Sequence, residues 1–324
     1  MRRVGFARSL FALGVGAAAL LTAAVPSSAQ DLVRVRVAAP PSEDTAPILY
    51  AINAGLFAKA GLKVEFAQMS SGSVISAAVA GGATDIGFSS LTGLISGHVR
   101  GIPFQLIAPG GNYTADDPYA FMFVRKDSTI RSARDFAGKT IASPALKDLD
   151  WIASSAWIDQ HGGNSKSSSY IELSNPTLLP ALLDGRVDSY TVGQPWAETA
   201  LDSGKVRVIA KSFESISPHF LMTAWFSTSD YVTKNRDAVD KFNRVIHDAA
   251  TYTNAHRAEI IPLLANVTKL EPGLIARTIK PTGNLYLDPR DIQPMIDVSA
   301  KYHVIEKGFN AQDLISPAAL KPGR

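Results

Sequence analysis

The chain has 324 residues, 46% hydrophobic and 19% charged, an ordinary globular balance with length for one large or two medium domains. It contains no cysteine, which excludes disulfides, thiolate metal sites, cysteine nucleophiles and a lipid-modified cysteine. The formal charge of +3 matches Arg2, Arg3 and Arg8; beyond residue 29 the chain is close to neutral and has no basic run, so nucleic acid and anionic membrane are not expected partners.

The three arginines precede an apolar run from Leu10 to Val25 and a small-residue end, Pro26-Ser27-Ser28-Ala29-Gln30. This pattern predicts a secretory signal, residues 1–29, cut after Ala29. The run is short and Gly/Ala-rich, where a membrane-spanning helix needs about 20 apolar residues. A periplasmic location without a lipid anchor is expected.

The mature chain opens with an alternating strand at residues 32–38, stopped by Pro40-Pro41. Ser42, Glu43, Asp44 and Thr45 supply capping residues before Ile48, Leu49, Ile52 and Leu56, which recur at helical spacing. Strands are predicted at 63–67, 85–88 and 103–108, with helices at 73–80 and 91–99 between them. The alternation goes on with strands at 119–125, 139–142, 169–173, 188–192 and 206–210, helices at 151–160 and 178–184, and an extended run at 219–227. Strand alternating with helix argues for parallel βαβ units. Residues 229–304 are helical in periodicity, as in Ala238, Phe242, Val245, Ile246, Ala249 and Tyr252.

One pattern occurs twice. Residues 66–88 and 171–192 both read strand, Ser-containing turn, small apolar helix, Gly-x-x-Asp, strand, with Gly82 to Asp85 in one copy and Gly185 to Asp188 in the other. The glycine suits a helix C-terminus, where positive φ is cheap. Two similarly built α/β lobes are expected.

The chemistry motifs fail one by one. Gly87-Phe-Ser-Ser-Leu91 has leucine where a nucleophile elbow needs its last glycine, and the six histidines have no partner motif. Gly138-Lys139-Thr140 has its helix before it and its strand after it, the reverse of a phosphate-binding loop. No histidine pair has metal-ligand spacing, and Glu43-Asp44 and Asp116-Asp117 read as solvated loop charge. Neither a metal nor a cofactor is expected, nor a catalytic residue.

Polar turns at strand ends are left, where open α/β sheets bind ligands and helix N-termini offer free N–H groups. The candidates are Ser42, Glu43, Asp44, Thr45, Ser70, Ser71, Gly72, Ser89, Ser90, Asn112, Tyr113, Ser143, Lys147, Asn175, Gln194 and Trp196. Singly, each serine reads as an ordinary helix cap. Tyr113 and Trp196 are large rings in turns and candidates for stacking on a ligand. Lys147 is the only cation in these turns, and Glu43 and Asp44 would repel a second anion, so an organic solute is expected over a doubly charged small anion.

The run from Ala54-Gly55-Leu56-Phe57 to Gly61-Leu62-Lys63-Val64-Glu65 resembles the opening of periplasmic solute-binding proteins of ABC importers for nitrate, sulfonates, taurine and thiamine-pyrimidine precursors. Ser71-Gly72 through Phe88, Arg125 through Thr140, and Ala181 through Asp188 are similar to the family's next blocks, so the likeness runs to about Trp225. The resemblance implies an α/β, two-lobed periplasmic-binding-protein fold of type II. Each lobe would be a mostly parallel sheet flanked by helices, with two crossover hinge segments at 119–125 and 219–227. Lobe one would be 31–122 plus 224–324, and lobe two 123–223. It also implies a monomer that closes on a sulfonate, carboxylate or heteroaromatic solute and delivers it to an ABC permease and its ATPase. An enzyme of the same fold in pyrimidine-precursor or menaquinone synthesis is the alternative, disfavoured by the export signal. A periplasmic sensing subunit is the other.

Overall fold

The computed structural model describes residues 32–69 and 71–322; the expected signal segment and the candidate Ser70 lie outside the described residues. In chain order, β1 (Val33–Ala39) leads through a 3-10 turn (Glu43–Thr45) to α1 (Ala46–Asn53) and α2 (Leu56–Lys59). Then follow β2 (Leu62–Gln68), α3 (Gly72–Ala80), β3 (Ile86–Ser90), α4 (Leu91–Val99), β4 (Phe104–Pro109) and β5 (Gly111–Thr114). The middle of the chain holds β6 (Ala120–Arg125), β7 (Thr140–Ser143), α5 (Leu149–Gln160), β8 (Ser169–Glu172), α6 (Asn175–Leu183), β9 (Ser189–Gly193), α7 (Trp196–Asp202) and β10 (Val206–Ala210). The chain returns through β11 (His219–Leu221) and β12 (Thr223–Thr228). It ends with α8 (Ser229–Lys234), α9 (Arg236–Ala255), α10 (Arg257–Thr268), α11 (Pro272–Arg277), β13 (Thr282–Gly283) and α12 (Pro289–Lys301).

One five-stranded sheet has the order β2-β1-β3-β12-β4, a second the order β10-β6-β9-β7-β8, and β11-β5-β13 form a small third. Within each large sheet the helix-connected strands are parallel: β2-β1-β3 in the first, β9-β7-β8 in the second. Strands entering from the crossovers arrive reversed. β12 is antiparallel to both β3 and β4, and β6 to both β9 and β10. The sheets are therefore mixed, parallel where a helix joins neighbours and antiparallel where the chain changes sheet.

Sheet one buries Val35, Val37, Ile86 and Trp225 against α9, whose Phe242, Val245, Ile246 and Ala249 form the expected apolar stripe. Sheet two has its own core around Phe121, Phe123, Tyr190, Leu178 and Leu182. A further cluster joins α4 and α12 to Ile152, Ala153 and Phe213 of the middle segment, through Tyr113, Phe220 and Leu221. Residues 112–114, read from sequence as a turn, form β5. Asn112 and Tyr113 pair with Leu221 and Phe220 of β11, because Gly110 and Gly111 let the chain re-enter a strand directly after β4.

The repeated Gly-x-x-Asp unit has one geometry in both places. Gly82 (φ 73°) and Gly185 (φ 74°) end the turns after α3 and α6 in the left-handed region. Asp85 N–H then donates to Arg36 O (2.9 Å), while its carboxylate accepts the Arg36 N–H (2.7 Å) and the Arg36 guanidinium. Asp188 does the same with Thr140: its N–H donates to the carbonyl (2.8 Å) and its carboxylate accepts the N–H (2.9 Å). Each aspartate thus clamps the next strand to its neighbour.

The two clamps differ in exposure, 9% for the Asp85 side chain and 38% for Asp188. Asp85→Ala should therefore lower stability by about 1–3 kcal/mol, and Asp188→Ala by less, as read by urea unfolding. Tyr113 is 0% exposed, packs on Phe213 and Phe220, and its hydroxyl has no partner among the described residues. Tyr113→Phe removes a buried unpaired hydroxyl, so the same titration should show unchanged or higher stability; a loss above about 1 kcal/mol would reveal a partner for that hydroxyl.

Candidate functional site

A cleft of about 900 Å³ opens where the C-terminal ends of β1, β3 and β7 face one another. Ser42, Asp44, Ser71, Gly72, Ser89, Ser90 and Lys147 line it, as does Tyr119 from the first crossover. An adjoining recess of about 210 Å³ shares Asp44, Ser90, Tyr119 and Thr223 with it and adds Asp150, Asn175, Gln194 and Trp196. The volume is that of a small-molecule site.

Close helix–sheet packing builds one wall. A Cβ on Gly72 would lie 2.3 Å from Ser89 Oγ and 3.3 Å from Ser89 Cα, so glycine lets the start of α3 sit against the end of β3 without displacing Ser89. Ser71 and Ser90 cap α3 and α4, accepting the N–H groups of Val74 (3.5 Å) and Gly93 (3.3 Å). Their hydroxyls serve the helices and still face the cleft.

The electrostatics of the site come from carboxylates. Asp44 accepts from Ser42 Oγ (2.5 Å) and Thr223 Oγ1 (2.7 Å), and Thr223 Oγ1 in turn accepts the Gly111 N–H (2.8 Å). Burial raises the Asp44 carboxyl, with the two hydroxyls pulling it back. Asp148 caps α5 by accepting the Leu149 N–H (2.8 Å). Burial raises it too, opposed by that N–H and the hydroxyls of Thr92 and Ser90. Asp150, two residues further along and inside α5, is pushed up to about 8 by burial and then by Asp148. Tyr119, whose hydroxyl donates to Gln194 O (2.8 Å), is raised well above an ordinary tyrosine by burial and by Asp44, Glu43 and Asp150. Arg100 and Lys147, both exposed, are the cations lining the larger cleft, and neither lines the recess.

Five candidates are placed away from the cleft. Glu43 points to its far side, where Thr278 Oγ1 donates to it (2.5 Å) and Arg257 pairs with it (3.4 Å). It is 8% exposed, so the reading of solvated loop charge does not hold for this residue. Thr45 is fully buried and donates to Ser42 O (2.6 Å). Asn112 is buried in β5 with its Nδ2 3.5 Å from His219 Nε2, and Tyr113 is core. Ser143 is buried and donates to Ala145 O (2.8 Å), shaping the turn that presents Lys147.

Tyr119, Thr92, Thr223, Asp148 and Asp150 line the site without having been singled out. Asp148-Leu149-Asp150 at a helix start reads as an N-cap and an acidic first turn, an everyday pattern. Only the packing of α5 against the opposite wall makes these acids unusual.

Known proteins agree with this geometry. A curated Bacillus subtilis (strain 168) protein named for binding aliphatic sulfonates is 22% identical over 290 residues, covering 86% of this chain and 85% of its own. The periplasmic aliphatic sulphonate binding protein SsuA of Escherichia coli superposes with a TM-score of 0.75 at 17% identity, over 90% of this chain and 94% of its own. The alkanesulfonate-binding SsuA of Xanthomonas axonopodis pv. citri, solved bound to MOPS, gives 0.71 at 18% identity, over 90% and 99%. These relatives are named as binding proteins, not enzymes, and the superpositions establish a two-lobed α/β periplasmic-binding-protein fold. The NMT1/THI5 like sequence profile matches residues 42–260, well over half of the chain, and the chain belongs to that family.

Proposed function

We propose that this chain is the periplasmic solute-binding component of an ABC importer. It captures one small organic solute between two lobes, closes around it by a hinge, and presents the closed form to a permease and its ATPase. The observation that carries this reading is the cleft itself, whose walls come from both large sheets: Ser71, Ser89 and Ser90 on one side, Lys147, Asn175 and Gln194 on the other. The lobes would be close to residues 31–122 plus 224–324 and 123–223, with the chain crossing before β6 and before β12. Among the described residues no histidine lines the cleft. Ser71 and Ser90 are engaged as helix caps and Ser42 with Asp44, with no His-Asp relay beside them, which favours binding over catalysis.

Among sulfonate, carboxylate and heteroaromatic solutes, the wall favours the last. Asp44 would repel an anion and Asp150 would have to stay protonated beside one, whereas Tyr119 and Trp196 offer rings for stacking. No helix among the described residues is long and apolar enough to cross a membrane, and a freely diffusing mature chain, acting as a monomer, fits this role.

The test begins with protein purified from its own periplasm without dialysis. Denaturation and mass spectrometry should release one small compound, which calorimetry then shows to rebind at one per chain. Small-angle scattering should show a smaller radius of gyration on rebinding, and deleting the gene should abolish uptake of the labelled compound. Trp196→Ala should weaken rebinding about tenfold, since one lost aromatic contact is worth about 1 kcal/mol or more. Intact uptake with a lost transcriptional response would instead favour a sensing subunit. A protein that retains no compound and never contracts would overturn the proposal.

A further inference from the structure

We propose that the solute is an organic cation that also carries a hydrogen-bond acceptor, with Asp44 and Asp150 holding its charge from opposite walls of the recess. This rests on the solute-binding reading and narrows it. Asp44, Asp150, Tyr119, Trp196, Asn175 and Gln194 all line one cavity, and among the described residues no arginine or lysine lines it with them. An anion there would find the Asp44 carboxylate, could not be accompanied by an ionised Asp150, and would meet no counter-charge among the described lining residues. A cation would find Asp44, an Asp150 that it can draw into its ionised form, and the aromatic side chains Tyr119 and Trp196 in the lining, the usual surroundings of ammonium and amidinium groups in protein pockets.

Open hydrogen-bonding groups point the same way. Gln194 is 5% exposed, and its Oε1 accepts the Glu198 N–H (3.2 Å), which fixes the amide and leaves Nε2 buried without a partner. Asn175 Oδ1 and Asp150 Oδ1 are likewise buried and unpartnered among the described residues. Residues lining the recess therefore carry two unpartnered acceptors and one unpartnered donor. Buried polar groups in native proteins are nearly always paired, so three vacancies around one cavity describe the ligand that completes them. It donates to Asp150 and Asn175 and accepts from Gln194.

The acids also set a pH dependence. The groups facing Asp150 are Asp148 on its own helix, Asp44 from the opposite wall and Tyr119 from the crossover. Without a cation, Asp150 holds its proton until about pH 8. A cation favours the ionised form, so it must displace that proton when it binds below pH 8. Affinity for a permanently charged ligand should then rise with pH, approaching about tenfold per unit, and level off above 8.

The experiment uses the mature protein, stripped of bound compound by reversible denaturation, and probes matched in size. Thermal shift and calorimetry compare 1-methylnicotinamide, choline and benzamidinium with neutral nicotinamide and benzamide, and with nicotinate, benzoate and benzenesulfonate. The expected result is stabilisation by at least one cation and by none of the anions. Asp44→Asn and Asp150→Asn should each weaken that cation at least tenfold, and Asp150→Asn should flatten its pH profile. Asp150→Asn is expected to melt no lower than the parent at pH 8, because it removes a buried charge. Binding of an anion in the recess would overturn the cation assignment and leave the solute-binding role standing. So would a panel in which no cation binds, or affinity for a permanent cation that does not rise with pH. Failure of every charge class, together with no contraction in scattering, would count against both.

Discussion

Met222 and Thr223 hold several separate segments at one point. Met222 O accepts the N–H of Leu91 at the start of α4 (2.8 Å), and Met222 N–H donates to Gly111 O (2.9 Å). Thr223 O accepts the Gly110 N–H (2.9 Å), and its hydroxyl bridges Gly111 N–H to Asp44. The returning strand β12 begins here and is hydrogen-bonded on both edges, to β3 and to β4. A strand paired on both sides cannot shift register without breaking two ladders, so the second crossover is fixed in sheet one. The helix start, the first turn and the floor of the cleft take their positions from it.

The neighbours Glu43 and Asp44 show how that framework divides one acidic pair into two roles. Glu43 turns into the interior, where Arg257 and Thr278 compensate it and tie the first turn to α10 and α11. Asp44 turns to the cleft, where its side-chain partners among the described residues are the hydroxyls of Ser42 and Thr223. Hydroxyls stabilise a carboxylate less than a guanidinium does, so Asp44 keeps an unspent demand for positive charge. A buried ion pair in the first case and a partly buried, uncompensated acid in the second are the difference between scaffold and site.

Much of the fold was legible because it follows local rules. The strand–helix alternation, the apolar stripe of α9 and the doubled Gly-x-x-Asp unit all appear at the expected places, and the last proved to be a shared strand clamp rather than a coincidence of composition. The serine turns were legible as caps, and Ser71, Ser89 and Ser90 do line the cleft. What failed was whatever depends on which way a residue faces after the sheets are assembled. Tyr113 sits two residues beyond Gly111 and looked like a turn aromatic; pairing with Phe220 put it in the core. Asp148 and Asp150 drew no reading from the sequence, and only the opposite wall makes them a half-buried acidic pair. The strand order that creates that wall comes from long-range pairing, which no local pattern encodes.

Charge and hinge belong to one mechanism if a cation is the solute. Asp44 belongs to the segment that follows β1 of sheet one, and Asp150 to the helix that follows β7 of sheet two, so any closure of the cleft brings like charges together. In the empty protein that approach is unfavourable unless Asp150 stays protonated, and burial favours the proton. A cation reverses the sign of the term: the closer the walls, the better each carboxylate is compensated. The ligand then stabilises the closed state over the open one through interactions the open state cannot offer, which is the differential affinity a population shift requires. Lysine or arginine in the recess would abolish that coupling, because the walls would already be neutral to one another before any solute arrived.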